Sequence, residues 1–257
     1  MKLIDTHAHL FLDVFEKDFD QVIARAKENN VYKIFMPNID HLSVEKLLNA
    51  SQKYPDMLFP LMGLHPGSVD DNFMSYLQII EYHLRNKKFW GIGEIGLDFY
   101  HSDKYKQQQI KAFEYQLELA SELNLPVVIH TRNSFDTVLA VVKNFSSKNL
   151  SGIFHCFTGS VQQAEQIFEL NNFYLGIGGI LTFKNSNLSE TVQHLPLSRL
   201  VLETDSPFLT PVPYRGKRNE SSYIIFIARK LAQIKNLPLE QVAQITTENA
   251  TNLFFNS

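Results

Sequence analysis

The sequence has almost no cysteine and no long apolar run, and each absence excludes a class of protein. Cys156 is the only cysteine in 257 residues, which excludes a disulfide framework and indicates a reducing, cytoplasmic location. No stretch approaches the roughly 18 consecutive apolar residues of a transmembrane helix. Polar residues follow Met1 within a few positions, where a secretory signal would be apolar. We therefore expect a cytoplasmic protein with no membrane partner.

The sequence also lacks an excess of charge of either sign. It has 24 Lys and Arg against 27 Asp and Glu, a formal net charge of −3, and 44% of its residues are hydrophobic. This balance excludes a strongly basic protein that packages nucleic acid. A disordered chain would have fewer apolar residues and a larger net charge. We expect one folded unit over residues 1–257, monomeric and large enough to bury a sizeable core.

Short apolar runs alternate with longer amphipathic stretches along the whole chain. The runs predict eight strands: Lys2–Thr6, Val31–Met36, Leu58–Leu64, Phe89–Ile95, Val127–Thr131, Ile153–His155, Phe173–Ile177 and Leu200–Leu202. Helical spacing of apolar residues predicts helices over Phe15–Glu28, Lys106–Leu123, Ser134–Lys143, Val161–Leu170 and Ser222–Ile234. The repeated strand–helix order indicates parallel strands joined by right-handed crossovers.

The spacing of the predicted strand ends indicates the architecture. Successive ends are 23 to 36 residues apart, which is one strand–helix unit each. Eight such units in 257 residues fit an α/β fold of the (β/α)8 TIM-barrel type. The alternative is an open, doubly wound sheet, which normally has a glycine-rich phosphate turn after its first strand. The first turn here, Thr6–Leu10, contains no glycine, and the glycine pattern Gly91–Gly96 lies inside the fourth predicted strand.

Four histidines and two acids fall at the carboxyl ends of predicted strands, the face where barrel enzymes build active sites. They are His7, His9, Glu94, His130, His155 and Asp205. Taken singly, each has a simpler interpretation, such as a solvated acid, a core histidine or an Asx turn before proline. Together they are too many ligands for one tetrahedral zinc ion and predict two divalent metal ions. The ligand types do not distinguish Mg, Zn, Mn and Co.

Neighbouring residues carry three further expectations. Glycines of the segment Gly91–Gly96 leave space beside Glu94 for something that approaches closely. Glu203 shares the strand parity of Asp205 and is expected to contact a metal ligand. Cys156 follows His155, so strand alternation predicts that it faces the opposite side and is structural.

These motifs resemble the TatD family of metal-dependent deoxyribonucleases, which are amidohydrolase-like (β/α)8 barrels. The matching segments are Ile4–His9, Gly63–Pro66, Gly93–Asp98, Val128–His130, Phe154–Gly159, Leu202–Pro207, Tyr214–Glu220 and Glu248–Thr251. The resemblance implies the same six ligands and hydrolysis of DNA, often from its ends, with Mg or a similar divalent ion. Ser221 is a departure, because the family usually has proline there; it affects the stiffness of the loop more than the chemistry.

The mechanism expected from this set uses two metal ions and one base. One ion is held by His7, His9, Glu94 and Asp205, and the other by Glu94, His130 and His155. The catalytic residues are Glu94, which bridges the ions, and Asp205, which orients the attacking water and accepts its proton.

Further side chains are expected to contact the DNA substrate. The candidates are His65, Arg132, Arg215, Lys217 and Arg218, and four loop aromatics could stack on an unpaired base: Tyr100, Phe157, Phe183 and Tyr214. His65 has an equally good interpretation as a helix-capping residue before Pro66. The loop cations are more commonly solvated than functional, and loop aromatics are often only packing.

Two other functions remain open at this point. The first is a metal-dependent hydrolase on the same barrel that acts on another ester, an amide or an aminoacyl-nucleotide, since the metal site would be nearly identical. The second is a non-catalytic barrel that binds metal or nucleic acid. The full ligand set disfavours the second, because a purely structural metal site is closed and simpler.

Overall fold

The computed structural model describes residues 1–100, 102–145 and 148–256. Its strands are β1 Leu3–Asp5, β2 Val31–Pro37, β3 Leu58–Leu61, β4 Ile92–Asp98, β5 Val127–Arg132, β6 Gly152–Phe154, β7 Phe173–Ile177 and β8 Leu200–Leu202. The α-helices are α1 Phe19–Glu28, α2 Val44–Lys53, α3 Phe73–Asn86, α4 Lys106–Leu123, α5 Phe135–Asn144, α6 Val161–Phe168, α7 Leu188–His194, α8 Ile224–Lys235 and α9 Leu239–Phe255. Short 3-10 helices cover Asp13–Asp18, Pro66–Ser68, Gly179–Thr182, Leu197–Arg199 and Ser221–Tyr223.

The strands form two parallel sheets, in the orders β1-β2-β3 and β4-β5-β6-β7-β8. Backbone hydrogen bonds join the sheets at both edges. Met62 N–H donates to Gly91 O (3.1 Å) and Gly93 N–H donates to Met62 O (3.2 Å), which links the end of β3 to β4. Thr6 N–H donates to Leu202 O (3.0 Å), which links β1 to β8. The eight strands and their crossover helices therefore form the α/β barrel that the spacing predicts.

The position predicted for the fourth strand is wrong. It runs from Ile92 to Asp98, three residues later than predicted, so that Glu94 lies inside the strand and not at its end. Trp90 precedes the strand and packs edge-on against Phe59, with ring centroids 5.1 Å apart. Because apolar residues before the strand are packed as well as those within it, the hydrophobic run does not mark where the strand begins.

The first predicted helix is two elements. Asp13–Asp18 is a 3-10 helix and α1 begins only at Phe19, because Asp18 (φ −133°, ψ 23°) is not helical. Phe15 and Phe19 are both packed in the core, so the apolar spacing continues across the break. The predicted helix at Ser222 likewise begins with a 3-10 turn, and α8 starts at Ile224.

Helix α9 covers one end of the barrel. The ring of Phe254 stacks on that of Phe35, with centroids 3.7 Å apart, within a cluster that also contains Ile4, Val128 and Ile153. The last three precede His7, His130 and His155 in their strands, so the covered end is the amino-terminal one. The carboxyl ends of the strands are left for the site. Among the described residues, no helix is both long and apolar enough to cross a membrane.

Candidate metal centre

The structure brings all six predicted ligands together at the carboxyl end of the barrel. Five of them line a cleft of about 680 Å³: His9, Glu94, His130, His155 and Asp205. His7 is fully buried, and its ring stacks on that of His155, with centroids 3.5 Å apart.

Four of these side chains face one point. His7 Nε2 lies 3.1 Å from His9 Nε2 and 3.2 Å from Glu94 Oε2. Asp205 Oδ1 lies 3.7 Å from His7 Nε2 and 3.6 Å from His9 Nε2. Ligand atoms bound to one ion at about 2.1 Å lie roughly 3.0 to 3.4 Å from one another. The His7 distances therefore fit a divalent metal ion shared with His9 and Glu94. Asp205 Oδ1 lies slightly farther away than a ligand of the same ion would.

Glu94 presents its two oxygens to two different groups. Oε2 faces His7 and His9, at 3.2 and 3.5 Å. Oε1 lies 2.7 Å from His130 Nδ1 and 3.9 Å from His155 Nε2. A carboxylate held in this way can bridge two ions.

The outer nitrogens of three histidines settle which ring atom faces the cleft. Each contacts an oxygen at 3.0 to 3.1 Å: His9 Nδ1 the carbonyl of Pro37, His130 Nε2 the carboxylate of Asp98, and His155 Nδ1 the carboxylate of Glu203. Because carbonyl and ionised carboxylate oxygens only accept, the outer nitrogens of His9 and His130 carry a hydrogen. The inner nitrogen is then the atom that would bind a metal ion, once it has lost any proton of its own. Metal-bound imidazoles are oriented by the same kind of contact. Glu203 therefore contacts His155, one of the six predicted ligands.

His65 has the opposite arrangement. Its Nδ1 accepts a hydrogen bond from Gly67 N–H (2.9 Å), so that Nε2 carries the hydrogen. Nε2 points into the site, 3.4 Å from His130 Nδ1 and 3.5 Å from Glu94 Oε1. The side chain therefore caps the 3-10 helix Pro66–Ser68 and also presents a hydrogen-bond donor to the cleft, which suits contact with an oxygen better than metal ligation.

The two histidines beside carboxylates hold protons tightly in the metal-free protein. Burial lowers the pKa of His155, but the carboxylates of Glu203, Glu94 and Asp205 outweigh it and raise the pKa to about 10. Burial likewise lowers the pKa of His130, but its contacts with Asp98 and Glu94 raise it to about 9. The positive charges of these two imidazoles thus balance the negative charges of the buried carboxylates, as a bound metal ion would.

The two carboxylates predicted to act in catalysis differ in basicity. Burial raises the pKa of Asp205 to about 6, against the opposing effect of His155 and His9. Burial also raises the pKa of Glu94, but the neighbouring histidines outweigh it and hold this pKa well below its usual range. Asp205 is therefore the better proton acceptor near neutral pH.

One expectation about a neighbouring residue is wrong. Cys156 does not turn away from the site: its φ of 49° breaks the strand alternation, and it lines the cleft. The glycines beside Glu94 do admit a close approach, and the approaching element is β5: a Cβ on Gly96 would lie 2.1 Å from His130 O. The observed glycine that makes room for the site is Gly176, where a Cβ would lie 2.2 Å from Glu203 Oε2.

Asp98 is a site residue that the sequence reasoning missed. It lines the cleft and contacts His130, and that contact helps to hold its pKa down at about 2 despite burial. It lies four residues after Glu94 in the same strand, so the two have the same parity. That signal was hidden because the strand was predicted to end at Ile95.

The predicted substrate-binding cations are not gathered at the cleft. Arg132 lines it, with the guanidinium 3.8 Å from the ring centroid of Tyr100, whereas Arg215, Lys217 and Arg218 do not. Arg218 donates from Nη1 and Nη2 to the two carboxylate oxygens of Asp18, at 2.8 and 2.6 Å. The guanidinium of Arg218 is thus engaged in the metal-free protein and holds the loop against the start of α1.

Two of the remaining loop side chains stack on aromatic rings. The guanidinium of Arg215 lies 3.7 Å from the ring centroid of Phe183, and Lys217 Nζ lies 5.3 Å from that of Tyr214. Tyr214 itself stacks on Tyr223, with centroids 4.5 Å apart. The rings of Phe183 and Tyr214 are therefore both in contact with other side chains of the protein.

A parallel barrel that gathers histidines and carboxylates at the carboxyl ends of its strands is typical of metal-dependent hydrolases. The family model described as TatD related DNase matches residues 4–255. The chain belongs to the TatD family of metal-dependent hydrolases.

Relatives match over almost the whole length. The uncharacterized metal-dependent hydrolase YabD of Bacillus subtilis (strain 168) is 40% identical over 253 residues, 98% of each chain. The solved structure of YJJV, a TatD homolog from Escherichia coli K12, has a TM-score of 0.89 at 30% identity and covers 98% of this chain and 97% of its own. A TatD family hydrolase from Entamoeba histolytica has a TM-score of 0.84 at 24% identity, over 100% and 99% of the two chains, and supports the fold alone.

Proposed function

We propose that this chain hydrolyses phosphodiester bonds of DNA, starting from single-stranded or frayed ends, with two divalent metal ions. The observation that carries the proposal is the convergence of the inner ring nitrogens of His9, His130 and His155 on the two oxygens of Glu94. DNA is proposed as the substrate because the matching family model is described as a DNase.

The donor set fits two ions that share one carboxylate. His7, His9, Glu94 and Asp205 would hold one, and Glu94, His130 and His155 the other. Divalent ions bound there would lower the pKa of a water molecule and neutralise charge on the phosphate. Mg, Zn and Mn all accept these nitrogen and oxygen ligands, so the set does not select one of them.

Asp205 and His65 supply the proton chemistry and the positioning. The carboxylate of Asp205 accepts a proton from the attacking water; its Oδ1 faces the same point as His7 and His9. His65 donates from Nε2 to a phosphate oxygen, because its Nδ1 is already occupied by Gly67 N–H. Phosphoryl transfer depends mainly on such positioning and charge stabilisation.

The rim of the cleft supplies contacts for a strand end. Arg132 pairs with a phosphate, and Phe208, which is 52% exposed and lines the cleft, stacks on a terminal base. A volume of about 680 Å³ suits one or two nucleotides better than a duplex. With a net charge of −3, the protein is expected to bind long duplex DNA only modestly.

The proposal is tested with a linear single-stranded oligonucleotide and a covalently closed circle of the same sequence. With Mg or Mn, the linear strand should be degraded to nucleotides while the circle persists. Degradation of both would show that the protein is an endonuclease and does not need a strand end. No cleavage of either, alongside turnover of a small carboxylic ester, would overturn the proposal in favour of another hydrolase.

A further inference from the structure

We propose that Gln109 and Gln116 are positioning residues for the metal centre, an inference that rests on the function proposed above. Both are in α4 and both are buried, 6% and 1% exposed. They are seven residues apart, about two helical turns, so they lie on the same face of the helix. Each side-chain amide holds both the N–H and the C=O of one residue beside the site.

Both amides bond a peptide group at both ends, and Gln116 Nε2 also donates to Ala112 O (3.1 Å). Gln109 Oε1 accepts from Asp98 N–H (2.9 Å), and Gln109 Nε2 donates to Asp98 O (3.1 Å). Gln116 Oε1 accepts from Leu64 N–H (2.7 Å), and Gln116 Nε2 donates to Leu64 O (3.2 Å). A primary amide that bonds a peptide group at both ends replaces the pairing that an adjacent strand would provide.

The barrel needs this replacement at Asp98. Phe99 N–H donates to Arg132 O on β5, so the N–H of Asp98, one residue earlier, points away from β5. On that side β3 has already ended at Leu61. A buried backbone N–H without a partner would be costly, and the amide of Gln109 meets this requirement.

The two glutamines act on different parts of the site. Gln109 fixes the backbone of Asp98, whose carboxylate contacts His130 Nε2 and so turns Nδ1 toward Glu94 Oε1, where a metal ion would bind. Gln116 fixes the backbone of Leu64, directly before His65, the donor to phosphate. Loss of Gln109 should therefore weaken metal binding, and loss of Gln116 should weaken phosphate binding.

Calorimetric titrations of Gln109→Leu and Gln116→Leu separate these effects. Gln109→Leu should bind Mn²⁺ about tenfold more weakly than the wild type, the lower end of what loss of an outer contact causes. Gln116→Leu should keep its Mn²⁺ affinity, but in the Mn²⁺-loaded protein it should bind inorganic phosphate about fivefold more weakly. For DNA, its KM should rise more than its kcat falls.

Two control variants on α4 distinguish positioning from general destabilisation. Gln107→Leu changes an exposed glutamine of the same helix and should alter neither affinity. Leu117→Val makes a small cavity in the core and should lower the melting temperature without weakening Mn²⁺ binding. If Gln109→Leu does not fold, Gln109→Glu keeps the acceptor for Asp98 N–H and should give a smaller loss of affinity.

Unchanged Mn²⁺ affinity in the folded Gln109 variants would overturn the proposal, as would an equal loss in Leu117→Val. Unchanged phosphate binding in Gln116→Leu would overturn the part that concerns His65. The Mn²⁺ titration uses no DNA, so its result is distinct from a failure of the protein to cleave DNA.

Discussion

At the residue scale, the atom that each outer ring nitrogen contacts decides what the imidazole can do. The outer nitrogens of His130 and His155 contact carboxylates, so their inner nitrogens are the atoms that could bind a metal ion after losing a proton. His65 instead accepts from a backbone N–H and presents a hydrogen. The sequence predicts that these side chains share one face of the barrel, because their strand ends do. It does not predict the ring atom, which depends on Asp98 and Glu203 in other strands.

Asp205→Asn tests the proposed base. The amide is nearly isosteric with the carboxylate but cannot accept a proton, so hydrolysis should fall by about 100-fold or more. The variant should melt near the wild-type temperature and retain at least one metal ion per chain, measured by elemental analysis. Wild-type turnover in a folded, metal-loaded variant would exclude Asp205 as the base.

The raised pKa values of His130 and His155, about 9 and about 10, predict proton release on metal binding. Both are protonated at pH 7 in the metal-free protein, so an ion must displace these protons and its apparent affinity should increase from pH 6 to about 9. Titration calorimetry at pH 7 in buffers of different ionisation enthalpy measures the protons released. Heat that is independent of the buffer would contradict this.

At the scale of elements, the loop after β8 is held by two crossed ion pairs. Arg218 contacts Asp18, and Arg25 contacts Glu220 through Nε and Nη2 at 2.8 and 2.6 Å. The sequence shows a cluster of cations in this loop but not their partners, which are about 200 residues away in the chain. The sequence therefore predicts that Arg218 contacts the substrate, and it does not predict the ion pair with Asp18.

Arg218→Ala should therefore affect stability more than catalysis. Loss of its pair with Asp18 should lower the free energy of unfolding by about 1 kcal/mol, measured by urea denaturation, and leave the KM for DNA unchanged. Arg132→Ala is the matched comparison, because that side chain lines the cleft, and it should raise KM with little change in stability. A larger effect on KM from Arg218→Ala than from Arg132→Ala would contradict the assignment.

At the scale of the whole molecule, the apolar packing that stabilises the barrel and the polar site lie at opposite ends of it. Packing of α9 under the strands closes one end, and the polar site occupies the other. The eight-fold repeat was predictable because each unit has its own apolar run and helical pattern. The limits of β4 could not be predicted, because the apolar residues of the strand and of the turn before it are packed alike. Asp98, at the end of β4, was therefore not predicted as a site residue.

Phe254→Ala tests this separation. Removal of a ring that stacks on Phe35 should lower the free energy of unfolding by about 3 kcal/mol. The metal centre lies at the opposite end, so the Mn²⁺ affinity of the folded variant should match that of the wild type. Comparable losses of stability and affinity would show that the two ends are coupled.

The central claim is that divalent ions held by these six side chains hydrolyse DNA from its ends. The most direct measurement is nucleotide release from end-labelled single-stranded DNA by chelator-treated protein, followed while Mg²⁺ or Mn²⁺ is added back. We predict no release without metal and a return of activity that saturates as the ions bind. Release that continues undiminished after chelation, or that stays absent at saturating metal, would contradict the account.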